Sequence, residues 1–142
     1  MNIHDKSFLL AKEYLDDYSI YKGRLKILNI ELASAQELLN ISRNSTTANI
    51  SRIEDKIQQK SEQIKLISLL IQKIDIALDA LAEIDKNILI DRSIKKLTWN
   101  EIASKYNCSA RNAQRKYNSG INDMSRTIFT ENMTIIRLKK EG

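Results

Sequence analysis

The chain has 142 residues, no proline, three glycines, one cysteine and a formal charge of +5. So few breakers exclude a fold of short strands and tight turns and favour long helices, and a single cysteine excludes an internal disulfide. The longest apolar runs, such as Leu69–Ile71, are only a few residues, too short to span a bilayer.

The N-terminal MNIHDKSFLL lacks the basic region, the unbroken apolar stretch and the small-residue cleavage site of a signal peptide. The cytoplasm is therefore the expected compartment, with no membrane partner. From Asp5 to Asn40, Phe8, Ala11, Leu15, Tyr18, Leu25, Leu28, Leu32, Ala35 and Leu39 recur mostly at spacings of three or four. This predicts one long amphipathic helix, with Gly23 as its weak point. The cluster Ile41–Ala48 reads as a loop, with Ser45, Thr46, Thr47 or Asn49 available to cap the next helix.

The second helix is predicted from about Ala48 to Leu81. Ile50, Ile57, Ile64, Ile71 and Leu78 lie seven apart, and Ile53, Lys60, Ile67, Ile74 and Leu81 interleave with them. Only Lys60 interrupts this seam of coiled-coil type. A short loop between two long helices predicts an antiparallel hairpin over residues 1–81. Leu66, Leu69, Leu70, Ile76 and Ala77 broaden its apolar face. That surplus is expected to cover the C-terminal module and a second subunit, giving a homodimer through the hairpin; the alternative is a monomer folded back on itself.

Residues 82–129 form the expected functional module, and residues 130–142 a tail that is a short strand, a docking segment or frayed. Ile84, Ile88, Leu89 and Ile94 continue helical spacing. Thr98 and Glu101 then make a capping box, with Leu97 and Ile102 placed as a hydrophobic staple, so a helix starts at Trp99. Asn107 is a residue type that accepts the left-handed conformation and ends that helix, Cys108 turns inward, and Ser109 caps the next helix. That helix buries Ala113, Tyr117, Gly120/Ile121, Met124 and Ile128. The fold class is therefore all-α: a long antiparallel helical hairpin followed by a C-terminal helix-turn-helix.

Charge is unevenly divided. Residues 1–90 carry 12 Lys/Arg against 13 Asp/Glu, whereas residues 91–142 carry 11 against 5. A basic segment on a neutral chain is the footprint of a polyanion binder. Removing the buried stripe of the last helix leaves Arg111, Asn112, Gln114, Arg115, Lys116 and Asn118, with no acid between Ser109 and Asn122. Arg forks onto guanine, and Asn or Gln onto adenine, so Arg111, Asn112, Gln114, Arg115 and Asn118 are the candidate base readers. Lys95, Lys96, Thr98, Lys105, Ser109, Lys116 and Arg126 are the candidate phosphate contacts, which fix register and supply salt-dependent affinity.

The run Leu97-Thr-Trp-Asn-Glu-Ile-Ala-Ser-Lys-Tyr-Asn-Cys-Ser109 resembles region 4 of sigma-70 family factors, and Ile84–Arg92 resembles the helix before it. A long helical first half followed by this module is similar to phage late-gene transcriptional regulators of the ArpU/RinA type. The resemblance is specific over Ile84–Ile128 and architectural before it. It departs where Lys96 and Asn107 replace the usual turn glycines and where Ala113 is smaller than usual; no counterpart of the polymerase-binding region of a full sigma factor is present. It implies double-stranded DNA as partner, with Ser109–Asn118 in the major groove, and RNA polymerase as a further one.

Other signals are bland. His4 has no companion ligands for a metal, Trp99 is expected to pack on the preceding helix, and Tyr14, Tyr18 and Tyr21 to fill the hairpin seam. Asp16 and Asp17 point apart and have no acid–base partner. With no P-loop, nucleophile elbow or zinc spacing, no enzyme, cofactor or metal is expected. The expectation is a sequence-specific transcriptional regulator. The alternatives are a small terminase-like DNA-packaging subunit and a sigma-like protein-interaction module that does not bind DNA.

Overall fold

A computed structural model describes residues 3–44 and 49–129. Among them all regular structure is helical: α1 (Ile3–Asp16), α2 (Tyr18–Ser42), α3 (Ile50–Asp79), α4 (Glu83–Leu89) running on into a π-helical turn (Ile90–Ile94), α5 (Trp99–Tyr106) and α6 (Ala110–Ile128). No helix among the described residues is long and apolar enough to cross a membrane. The cap candidates Ser45, Thr46 and Thr47 and the 130–142 tail lie outside the described residues, as does the side chain of His4. Asn49 does cap α3, its Oδ1 accepting the Arg52 N–H at 3.2 Å.

The expected single helix from Asp5 to Asn40 is instead two. It breaks at Asp17, not at Gly23, which stays helical with open space around its Cα. The physical reason is local and tertiary together. Asp16 and Asp17 put carboxylates at the negative end of the α1 dipole. The Asp16 carbonyl then accepts a hydrogen bond from Lys96 Nζ at 2.9 Å, so a chain end from the far side of the sequence takes over a group left open where a helix stops.

The chain forms two compact units, whose boundaries fall inside α2 and α3. Residues 20–72 make one. In it, Leu25, Leu28, Leu32, Ala35 and Leu39 on α2 and Ile53, Ile57, Ile64 and Ile67 on α3 are the less exposed positions, and Leu28 is fully buried. Lys60, the heptad interruption, reaches Glu31 Oε2 at 2.7 Å. Both partners are part-exposed, so solvent screens the pair and it adds little stability, but it explains why a cation sits in the seam. On other faces of the same two helices Ile27, Ile30, Leu38, Ile41, Leu66 and Leu69 are exposed.

The residues up to Ser19 and from Lys73 onward make the other unit. Here α6 is the hub: α1, α4 and α5 all pack on it. Its Ala113, Tyr117, Gly120, Ile121 and Met124 are buried together with Ala11 and Leu15 of α1, Ile88 and Leu89 of α4, and Ile102 and Ala103 of α5. Each fully buried Leu or Ile contributes about 1.5–3 kcal/mol. Gly120 permits the closest approach: a Cβ there would lie 2.6 Å from Leu89 Cδ1. Ile74, Ala77 and Leu78 at the end of α3 are also buried, while Ile76 stays exposed. Of the tyrosines, Tyr14 is placed differently from expectation. Tyr14 faces Phe129, ring centroids 6.0 Å apart, and Tyr18 Oη donates to Asp75 Oδ1 at 2.7 Å. Burial, and then that bond, push the Tyr18 hydroxyl up to about 12. Tyr18 therefore links α2 to α3, the seam expected of it, whereas Tyr14 on α1 meets Phe129 after α6.

Candidate nucleic-acid interface

The geometry of residues 97–118 follows from four local devices. Thr98 Oγ1 accepts the Glu101 N–H at 3.1 Å while Glu101 Oε1 accepts the Thr98 N–H at 3.2 Å. This is the reciprocal capping box, and it starts α5 at Trp99. Asn107 then adopts φ 57°, ψ 46°. Its left-handed conformation lets the Cys108 N–H reach the Ala103 carbonyl at 3.0 Å and its own N–H the Ser104 carbonyl, closing the helix end as a Schellman motif does. Ser109 Oγ accepts the Asn112 N–H at 3.0 Å and starts α6. Ala103 and Ala113, both buried, keep α5 and α6 close. Two helices joined through Asn107, Cys108 and Ser109 are the result.

The core stripe of α6 faces inward, so the opposite face is open. Arg111, Asn112, Gln114, Arg115 and Asn118 are all exposed, and the first carboxylate on α6 is Asp123. Exposed Ser119 and half-buried Asn122 extend this polar surface. The helix turns Gln114 to one flank, beside Asn118 and Trp99, and half-buried Lys116 to the other, beside Asp85 of α4. Arg111, Arg115 and Asn118 thus form its centre.

The candidate phosphate contacts are less uniform. The Thr98 and Ser109 hydroxyls already accept cap hydrogen bonds. Lys96 Nζ donates to the Asp16 carbonyl, and Arg126 lies 3.8 Å from Asp123. Lys105 Nζ donates to Asp91 Oδ2 at 2.9 Å, and Lys95 Nζ is 3.5 Å from Asp91 Oδ1. Lys95 and Lys105 keep about half of their side-chain surface in solvent (58% and 48%), which leaves room for a further anion.

Asp91 was given no role by sequence reasoning, and it anchors this region. It is 1% exposed and also accepts from Tyr106 Oη at 2.5 Å. Burial pushes its carboxyl up, but the Tyr106 and Lys105 bonds and the Lys105 and Lys95 charges outweigh that and hold it below the usual range. The one signal available was an acid inside the apolar run Ile88–Ile94. The turn that carries it is π-helical: the Lys95 N–H bonds the Ile90 carbonyl and the Leu97 N–H the Asp91 carbonyl, each at 2.9 Å. Lys96 exits it at φ 61°. Positive φ at Lys96 and Asn107 matches two places where the sequence puts a non-glycine residue in a turn.

Arg92 was likewise missed. Its guanidinium lies 4.5 Å above the Trp99 ring and donates to the Leu97 carbonyl at 3.0 Å. Trp99 thus packs on the preceding helical turn, as expected, through the Arg92 side chain. It also meets Tyr117 of α6 edge-on, with ring centroids 5.4 Å apart and planes at 78°. Tyr117 and Ser93 share a buried hydrogen bond of 2.6 Å.

Residues 10–126 match a family model described as a protein of unknown function. No curated protein and no solved structure matches the chain.

Proposed function

The chain belongs to the DUF722 family, and we propose that it is a sequence-specific double-stranded-DNA-binding transcriptional regulator, an activator of phage or mobile-element genes acting in the bacterial cytoplasm. One observation carries the reading: the open face of α6 presents Arg111, Asn112, Gln114, Arg115 and Asn118 with no carboxylate among them. A solvated structural helix has no need to exclude acids, whereas a helix entering a DNA groove must. Both ends of the turn before it are fixed by backbone caps, so the face is held at a set angle rather than on a loose loop. Lys95, Lys96, Lys105, Lys116 and Arg126 supply the sequence-independent attraction. The protein is read as a binding protein, not an enzyme.

The exposed apolar positions Ile27, Ile30, Leu38, Ile41, Leu66 and Leu69 support homodimerisation through α2 and α3, which pairs two reading helices on one operator. RNA polymerase is the proposed further partner of the activator.

Selection of bound genomic fragments yields the operator. Arg111→Ala and Arg115→Ala are then expected to cost about 1–3 kcal/mol each in binding that operator, with helix content and melting unchanged. Normal operator shifts by both variants would refute the assignment of α6. A ring of many subunits in solution would move the reading to the terminase-like alternative. The complete lack of salt-dependent DNA affinity would leave the protein-interaction module.

A further inference from the structure

An open cleft of about 580 Å³ lies between α1, the turn before α5 and the flank of α6. Three cations from three separate segments line it: Lys12 of α1, Arg92 of the π-helical turn and Lys96 of the loop. A single carboxylate, Asp16, accompanies them. We propose that this cleft holds a backbone phosphate of bound DNA, which makes α1 part of the nucleic-acid interface. The inference rests on α6 being the DNA-reading helix, and it adds a contact that lies outside the helix-turn-helix segment.

Three arguments lead there. The first is charge. Cations brought together from distant parts of a chain repel one another, and one acid does not balance three of them. Asp16 is already engaged by Lys12, Nζ to Oδ2 2.8 Å. That bond raises the Lys12 pKa while the Arg92 charge opposes it, so the two side chains feel each other across the cleft. A phosphodiester would relieve the repulsion.

The second is preorganisation. Arg92 is held 4.5 Å over the Trp99 ring and spends one of its five N–H donors on the Leu97 carbonyl. A fixed guanidinium with donors to spare is the group that recognises phosphate in a fork.

The third is position. The rim of the cleft carries Gln114 and Asn118, which belong to the polar face of α6. A strand bordering the groove entered by α6 passes beside these residues, so its phosphate comes to the cleft mouth. The cleft is open, which suits a strand running past rather than a small ligand enclosed.

Trp99 is the only tryptophan and lines the cleft, so its fluorescence reports on occupancy. The full chain is titrated with a short duplex of arbitrary sequence at salt concentrations between about 50 and 200 mM, and separately with pyrophosphate. Duplex is expected to change the Trp99 emission. Lys12→Gln should weaken binding about 5- to 10-fold near 0.1 M salt and reduce the salt slope by about 0.9. Asp16→Asn, which releases Lys12, should strengthen binding and steepen the slope. Opposite responses of variants at two half-buried, mutually bonded residues are not produced by loss of folding, and melting curves check each one.

If both variants leave affinity and slope unchanged while Arg115→Ala weakens operator binding, the cleft is not in the interface and the reading of α6 stands. If pyrophosphate saturates the Trp99 change and duplex does not, the site takes a free anion and the proposal is overturned. If the wild-type chain has no salt-dependent affinity for duplex, the function proposed above falls as well.

Discussion

Asp91 decides how the module responds to acid. Its carboxylate is buried, accepts from Tyr106 and Lys105, and has its pKa held below the ordinary value of 3.8. A group depressed in the folded state stabilises above its unfolded pKa, and that contribution is lost as pH falls through the folded value. Urea unfolding should therefore show stability constant from neutral pH to about pH 5 and a fall below about pH 4. Asp91→Asn should cost about 2–3 kcal/mol at neutral pH, because it weakens a buried charge-assisted cluster, and should flatten the acid dependence. Acid dependence surviving intact in Asp91→Asn would place the responsible carboxylate elsewhere. The substitution also frees Lys95 and Lys105, so it separates stability from DNA affinity: the first drops while the charge available to phosphate rises.

At the scale of the element, two helical glycines are expected to behave oppositely. Gly23 in α2 has nothing near its Cα, so Gly23→Ala should raise stability by about 0.5–1 kcal/mol through helix propensity alone. Gly120 in α6 has Leu89 Cδ1 where its Cβ would be, at 2.6 Å, and Leu89 is fully buried. Overpacking should therefore override propensity, and Gly120→Ala should lose about 1 kcal/mol or more. Thermal melts of both variants settle the signs. The helices themselves were legible in the sequence wherever the signal is local. Thr98 with Glu101, Asn107 and Ser109 mark the bounds of α5 and α6 because caps act within four residues. The heptad of α3 was legible because a period needs no partner to be seen. The break at Asp17 was not, because Lys96 lies far along the chain from the carbonyl it bonds. The same holds for Lys60 and Glu31. Asp91 and Arg92 were hidden for a related reason: a charged residue in a helical pattern reads as solvated surface until the groups that bury it are known.

On the scale of the whole molecule, the two compact units divide the labour by chemistry. The basic excess of residues 91–129, 8 Lys/Arg against 3 Asp/Glu, and the acid-free face belong to the α6 unit. The 20–72 unit carries exposed apolar side chains instead, with Ile30 68% and Leu66 67% exposed. Two helices that bury one stripe each are marginal alone, so a second copy is the expected cover. Wild-type chain should sediment as a dimer, and Ile27→Glu with Ile30→Glu should shift it to monomer with helix content retained, since both positions are solvent-facing in one chain. A wild-type monomer at high concentration would remove dimerisation from the proposed function. The candidate reading face was legible from charge and residue type together, whereas its flanking cleft was not, because α1 reaches it from the opposite end of the sequence.

That last arrangement has a consequence for synthesis. Ala11 and Leu15 leave the ribosome well before α6, the wall they pack against. The α2 and α3 pair can zip as soon as its own chain is out, while α1 must wait, its apolar side uncovered, until α6 has emerged. Nascent chains halted before Ala110 should accordingly be cut by protease within α1, and chains released past Ile128 should resist.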